Sequence, residues 1–353
     1  MMIRACFAAI ALLVLAPALA QQTSGPACPP SDRACVMQAV RNHAVRRVDS
    51  WQAELARPLD DRIGAAPPHL IEYLTLDNTV QGIAQRPRPA VLEPEFLVDV
   101  KAAIRELPPQ VWRLFRERLI GVYFVENLGG TGFSDAVTDR AGNRVAGYIV
   151  LDAAVLRPLK ANAWATWKEG TPFKPKAGYA LAARIEAEAG DNRKNAIQYI
   201  LLHELGHVFS VGNVLHPPWE LEPKDVPVSA VYPYFDLSWS IDRRASRYAS
   251  RFDKEFPQRR NVAYYFGAKL ASAEMAATYS NLERTNFPTL YAATHPGDDF
   301  AEAFASYVHV VLQRRPWQIT ISRDGKTVKV FTPCWDEPRC ADKRKVLERI
   351  VGR

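Results

Sequence analysis

The 353-residue chain has no Cys-x-x-Cys pair, no internal repeat and no apolar run long enough to cross a membrane comfortably. Each absence closes off a class. Without close-set cysteine pairs there is no thiolate-held metal site, and without a repeat there is no solenoid. Basic segments interleaved with aromatics are missing too, so nothing points to nucleic acid. The glycine-rich stretch at 129–143, "GGTGFSDAVTDRAGN", lacks the lysine of a phosphate loop and runs into no immediate helix, so it is predicted as a plain loop. A hydrophobic content of 48% with eight tryptophans excludes a disordered chain and suits one sizeable core.

What is present begins with the leader. "MMIRACFAAIALLVLAPALA" carries one arginine, an apolar run from Ala5 to Leu15 and an Ala18-Leu19-Ala20 end. It is predicted as a signal peptide cleaved after Ala20, because the run is short for a membrane anchor. The mature protein would then be periplasmic or secreted. Cleavage removes Cys6 and leaves Cys28, Cys35, Cys334 and Cys340, an even set that reads as disulfides in an exported protein. The local pairs 28–35 and 334–340 close short loops rich in turn residues; stapling of the two termini is the alternative. The net charge of +7 favours an anionic envelope surface or an acidic substrate. Arg243, Arg247 and Arg251 at helical spacing are expected to form a basic stripe or simply a solvated face.

Along the chain, a helix is predicted from Ser31 to about Leu55 with Ser31 or Asp32 as cap, then a linker at 86–94, "RPRPAVLEP". Two helices follow in "EFLVDVKAAIREL" and "PPQVWRLFRERL". Strands are predicted in "GVYFVENLGG" and "RVAGYIVLDAAVL", with residues 145–151 at the sheet edge, where an extended peptide could add. "NAWATWKEGTPFKPK" reads as a connector. Trp164, Trp167, Trp219 and Trp239 are expected in connectors, packing the core or lining substrate pockets. A strong helix is capped by Asp191 or Asn192 and ends at Gly212-Asn213. Residues 214–239 form a proline-rich excursion suited to a lid or rim. Helices at about 241–256, 268–284 and 298–313 precede a hairpin turning at Asp324-Gly325.

Residues 199–210, "YILLHELGHVFS", carry the chemistry. His203 and His207 are four apart and project from one helix face, so two imidazoles can reach one ion. Glu204 lies beside them and would reach a metal-activated water as general base. Apolar neighbours bury this helix, and Gly206 permits close packing. A third ligand must come from elsewhere. His216 is displaced by three residues from the metzincin position, where Ser210 and Asn213 replace the required glycine and histidine. The better source is "TLYAATHPGDDFAEAFASYVHVV", whose helix carries Asp298 and Glu302 one turn apart, with His309 further along. Either acid could be the ligand. Glu302 sits in an apolar Phe-Ala-Glu-Ala-Phe run, where a carboxylate without a partner is costly.

HELGH, then Tyr291, then "DDFAEAF" seven residues on resembles the lethal-factor-type zinc peptidases and the related Pro-Pro endopeptidases. In those families a tyrosine precedes, by seven residues, a metal-binding glutamate that opens a Glu-x-Phe-Ala-Glu helix. The resemblance implies His203, His207 and Asp298 as ligands, Glu204 as base and Tyr291 as oxyanion stabiliser. Glu302 then falls one turn on, in contact with a ligand histidine. The sequence departs from the pattern in having aspartate at 298. It spans roughly 121–310 and implies an α+β, zincin-like fold.

The expected organisation is a signal peptide (1–20), an N-terminal helical and linker segment (21–92) and a zincin-like metallopeptidase domain (93–353). The expected activity is hydrolysis of peptide or protein substrates with one zinc per chain. The rival expectations are a zinc-binding envelope scaffold without turnover, or a hydrolase of a non-peptide cell-wall amide.

Overall fold

The structure, a computed structural model, describes residues 28–352 apart from 30, 117, 220 and 266. The expected signal peptide and Cys6 lie outside them. The fold is mixed α and β. Its main sheet consists of β1 (Ile63–Ala65), β2 (Arg88–Pro89), β3 (Leu119–Glu126), β4 (Gly132–Thr138) and β5 (Arg144–Asp152). β3 and β5 run parallel at its centre and are buried on both faces, which is why they read as continuous runs of Val, Ile, Leu and aromatics. β1 lies parallel to β3, and β2 pairs with the end of β3. β4 is antiparallel to β5 and forms the opposite edge.

Three expectations are corrected here. Residues 145–151 are interior, and the glycine-rich stretch taken for a loop supplies the edge strand instead. Its Phe-Ser-Asp-Ala-Val-Thr core is short enough to be hidden by the flanking glycines. The 86–94 segment is not a free linker either: Ala90 donates its amide to Phe124 O, and Arg157 bonds Glu93.

Side chains alternate across the strands and feed two cores. One holds Ile120, Tyr123, Val125, Tyr148 and Val150 against Trp51 and helix Pro68–Gln81. The other holds Val122, Phe124, Ile149 and Leu151 against Leu201, Leu205 and Val208 of helix Arg193–Ser210. Residues 33–92 therefore cover one face of the sheet and extend it. The helix expected from Ser31 to Leu55 stops at Asn42. Asp32 caps its start, accepting from Cys35 N, and His43 redirects the chain into 3-10 turns.

Further corrections lie downstream. "NAWATWKEG" is a helix, Ala161–Gly170, because Trp164, Ala165 and Lys168 share a buried face. Residues 241–256 hold the hairpin Trp239–Asp242/Arg247–Ser250, so the three arginines form no helical stripe. In 268–284 only Met275–Leu282 is α-helical. Helix Pro296–Tyr307 runs on through one π turn, Val308–Leu312. The hairpin 318–331 turns at Asp324-Gly325, both at positive φ, and pairs with Tyr179–Arg184. Disulfides join Cys28 to Cys35 and Cys334 to Cys340. No helix among the described residues is long and apolar enough to cross a membrane.

Helices Arg193–Ser210 and Pro296–Tyr307 pack so closely that a Cβ at Gly206 would lie 2.7 Å from Ala301 Cα. Gly206→Ala should cost about 1–3 kcal/mol, seen as a lowered melting temperature, because backbone must move. His309 is buried, with Nε2 2.7 Å from Ile185 O, and burial holds it down to about 4. A histidine kept neutral in the fold but free to charge when unfolded loses stability as pH falls from about 6.5 toward 4, by about 1.4 kcal/mol per unit. In EDTA, His309→Gln should flatten the slope of urea-unfolding stability between pH 7 and pH 5.

Candidate metal centre

Helix Arg193–Ser210 is started by Asn192, whose side chain accepts from Asn195 N. It carries His203 and His207 to the mouth of a cleft, with their Nε2 atoms 3.2 Å apart. Asp298, in the first turn of helix Pro296–Tyr307, brings Oδ1 to 3.5 Å from His207 Nε2 and 3.9 Å from His203 Nε2. Thr294 Oγ1 donates to its other oxygen at 3.3 Å. Burial would raise the Asp298 carboxyl, but hydrogen bonding and charge from His207, with charge from His295 and His203, hold it below the usual range.

These three side chains could hold a metal ion. Donors about 2.0–2.2 Å from one tetrahedral ion stand about 3.3–3.6 Å apart, close to the spacing found. Two imidazoles and a carboxylate also suit zinc chemically. Among the described residues no other group of three His, Cys, Asp or Glu side chains converges in this way.

His216 and His309 stand apart from the group. His216 is buried with Nδ1 2.8 Å from Pro217 O, and burial holds it down to about 3. His309 packs its ring edge-on against Tyr199. Glu302, the other candidate third ligand, is fully buried and already committed. Its Oε1 lies 2.9 Å from Lys168 Nζ, and its Oε2 accepts from Thr289 Oγ1 at 2.7 Å. The same Oε1 is 3.0 Å from His203 Nδ1, on a bent approach to the ring nitrogen that faces away from Asp298. Burial pushes the Glu302 carboxyl up, but Lys168 and His203 more than reverse this and hold it ionised.

Lys168 is a site residue that sequence reasoning missed. It is buried between Glu302 and Glu169, 3.3 Å from the latter, with its ammonium 4.6 Å over the Tyr291 ring. Glu169 in turn accepts from Tyr264 and Tyr279. Burial favours the neutral amine, but the two carboxylates outweigh it and keep Lys168 protonated. The helical spacing of Trp164, Ala165 and Lys168 was the available signal, and the prolines that follow obscured it.

Tyr291 stacks on His203, ring centroids 5.4 Å apart. Burial, then the Asp298 charge, pushes its phenol well up, so it stays a proton donor. Glu204 is buried between two cavities. A largely apolar one of about 320 Å³ is lined by Leu74, Ile83, Leu128, Phe133 and Trp164. A more polar one of about 460 Å³ is lined by Arg46, Tyr73, Asp77, Asp135 and Trp219. Of the other tryptophans, Trp239 is a core residue whose Nε1 donates to Asp299 Oδ2 at 2.9 Å, and Trp167 is half exposed. The walls from Arg46, Tyr73 and Asp77 were also unanticipated, since they come from the N-terminal segment. Gly132 opens β4 beside the carboxylate of Glu204: a Cβ there would lie 2.7 Å from Glu204 Oε1.

Comparison with protein-family models, curated proteins and solved structures finds no match to this chain.

Asp298→Ala should abolish tight metal binding in a zinc titration, whereas Glu302→Gln should weaken it only about 10–100-fold. Lys168→Met leaves two carboxylates buried without their cation and should cost about 3–5 kcal/mol of stability in metal-free thermal unfolding.

Proposed function

We propose that the protein is an exported zinc-dependent peptidase. The observation that carries this reading is the convergence of His203, His207 and Asp298 beside Glu204, in a cleft flanked by a partly open antiparallel edge strand. The motif resemblance to the lethal-factor-type and Pro-Pro endopeptidases points the same way. So does the arrangement of the edge strand above the motif helix, which fits a zincin-like fold. Two disulfides are compatible with export.

His203, His207 and Asp298 would hold the ion; bound there, zinc supplies a Lewis acid for the scissile carbonyl and makes water a nucleophile near neutral pH. The chain's own residues do the rest. Glu204 takes the proton of the attacking water and passes it to the leaving amine. Tyr291, held protonated, donates to the oxygen on which charge develops. Glu302 faces the outer nitrogen of His203 and orients the ring, with Lys168 and Thr289 fixing Glu302 in turn. The exposed edge of β4 can pair with the substrate backbone and set the carbonyl against Glu204.

Metal analysis of the purified protein should find one zinc per chain. Glu204→Gln should keep that zinc and lose hydrolysis of a peptide library; absence of zinc after reconstitution would sink the reading. Tyr291→Phe should keep zinc and lower the rate by the equivalent of about 2–4 kcal/mol, the cost of a lost oxyanion donor. Gly132→Ala, whose Cβ would lie 2.7 Å from Glu204 Oε1 and 3.1 Å from the buried Leu151 Cδ2, should lower kcat while keeping zinc.

A further inference from the structure

Only part of the β4 edge is open. Gly132, Phe133 and Ser134 are partly exposed and line the cleft, but Asp135, Ala136 and Val137 are buried. The turn at residues 44–47 packs against the far end of this strand, Val45 sharing a core with Val137. Arg47 forms a β-bridge with Thr138, and Thr138 Oγ1 donates to Arg46 O at 3.2 Å. Tyr73 OH donates to Asp135 Oδ2 at 2.6 Å alongside. This turn is no loose flap. Val45 and Trp51 are fully buried, Trp51 Nε1 donates to Val45 O at 2.8 Å, and Arg140 pairs with Asp49 at 2.8 Å.

The direction of β4 decides which end of a substrate meets this plug. β4 starts at Gly132, against Glu204, and runs away toward Thr138. A peptide adding antiparallel, the more stable pairing, runs the opposite way. Its scissile carbonyl lies near Gly132, its carboxyl-terminal part continues toward the apolar cavity, and its amino-terminal part runs into the covered stretch. The three open residues give about 10 Å of platform, enough for about two residues ahead of the scissile bond.

On the reading of the protein as a metallopeptidase, we infer that the 44–47 turn closes the cleft upstream, so that the site takes the amino-terminal end of a peptide and releases one or two residues. The charge at the closed end fits. Asp77, one turn beyond Tyr73 on helix Pro68–Gln81, lines both cavities, and Asp135 lines the polar one. Burial and then the Asp135 charge push Asp77 up to about 6, and a hydrogen bond from Gln81 and the charge of Arg46 offset this only in part. Arg46 lines the same cavity and is itself engaged. An ammonium at this point would pair with Asp77, and it can come from a free α-amine or from a lysine side chain in the first two positions.

The test is hydrolysis by the zinc-loaded full chain of three randomised octapeptide libraries, with products mapped by mass spectrometry. One has free amino termini and no lysine or arginine at the first two positions, one is the same library acetylated, and one is acetylated with lysine at position 1 or 2. Cleavage after the first or second residue of the free library, at least tenfold faster than of its acetylated form, is the expected result and identifies the α-amine as the cation. Equal preference restored by the acetylated lysine library identifies the side chain instead and keeps the closed-cleft assignment. Cleavage of all three libraries at internal bonds, three or more residues from the start and at similar rates, overturns the inference while leaving a metallopeptidase. Cleavage of none removes the metallopeptidase reading and the inference with it. Asp77→Asn should abolish the preference for the charged library without lowering zinc content; an unchanged preference overturns the assignment of the ammonium to Asp77.

Discussion

The closeness of two helices is the constraint on which the candidate site depends. At Gly206 the helix bearing the histidines has no side chain, and the backbone of Ala301 fills the space. Small residues around that contact let imidazoles from one helix and carboxylates from the other meet at a point. Phe209, Phe300 and Phe304 stack below it and fix the crossing. With the helices so placed, Asp298 falls opposite the two Nε2 atoms, and Glu302, one turn deeper, falls behind His203.

Depth then separates the two acids by chemistry. Asp298 keeps partial exposure at the cleft, with only a threonine and the histidines for partners. Glu302 is sealed from water, and an isolated carboxylate there would be very costly. The fold meets that cost with Lys168, Thr289 and the outer nitrogen of His203. A second buried pair, Asp299 with Lys343, repeats the arrangement three residues before Glu302 and ties the C-terminal helix Ala341–Val351 to the same element, 2.5 Å between charged atoms. Three acids on one helix thus take three roles, Asp298 at the cleft and the fully buried Asp299 and Glu302 as core anchor and histidine support.

The N-terminal segment is part of the site. Its strands extend the sheet beside β3, its helix Pro68–Gln81 walls the cleft, and its 44–47 turn bridges the far end of β4. An edge strand left wholly open is a template for any extended chain. Here the opening is limited to the few residues beside Glu204.

Much of what is local was legible in the sequence. The spacing of His203 and His207, the caps at Asp32 and Asn192, the Asp324-Gly325 turn and the two short cysteine loops each depend on residues within a few positions of one another. Local geometry alone fixes such features, because helix pitch and turn chemistry do not require the rest of the chain. Misread stretches were those in which tertiary burial outweighed local signals: β4 behind its glycines, the Ala161–Gly170 helix before its prolines, the hairpin at 239–250. Helix geometry alone left the choice between Asp298 and Glu302 open for the same reason, and it was the motif resemblance that favoured Asp298. Both acids have helical positions that could approach the histidines, and only the packed depth of each, with Lys168 arriving from 134 residues away, decides which carboxylate is held and which is left facing the cleft.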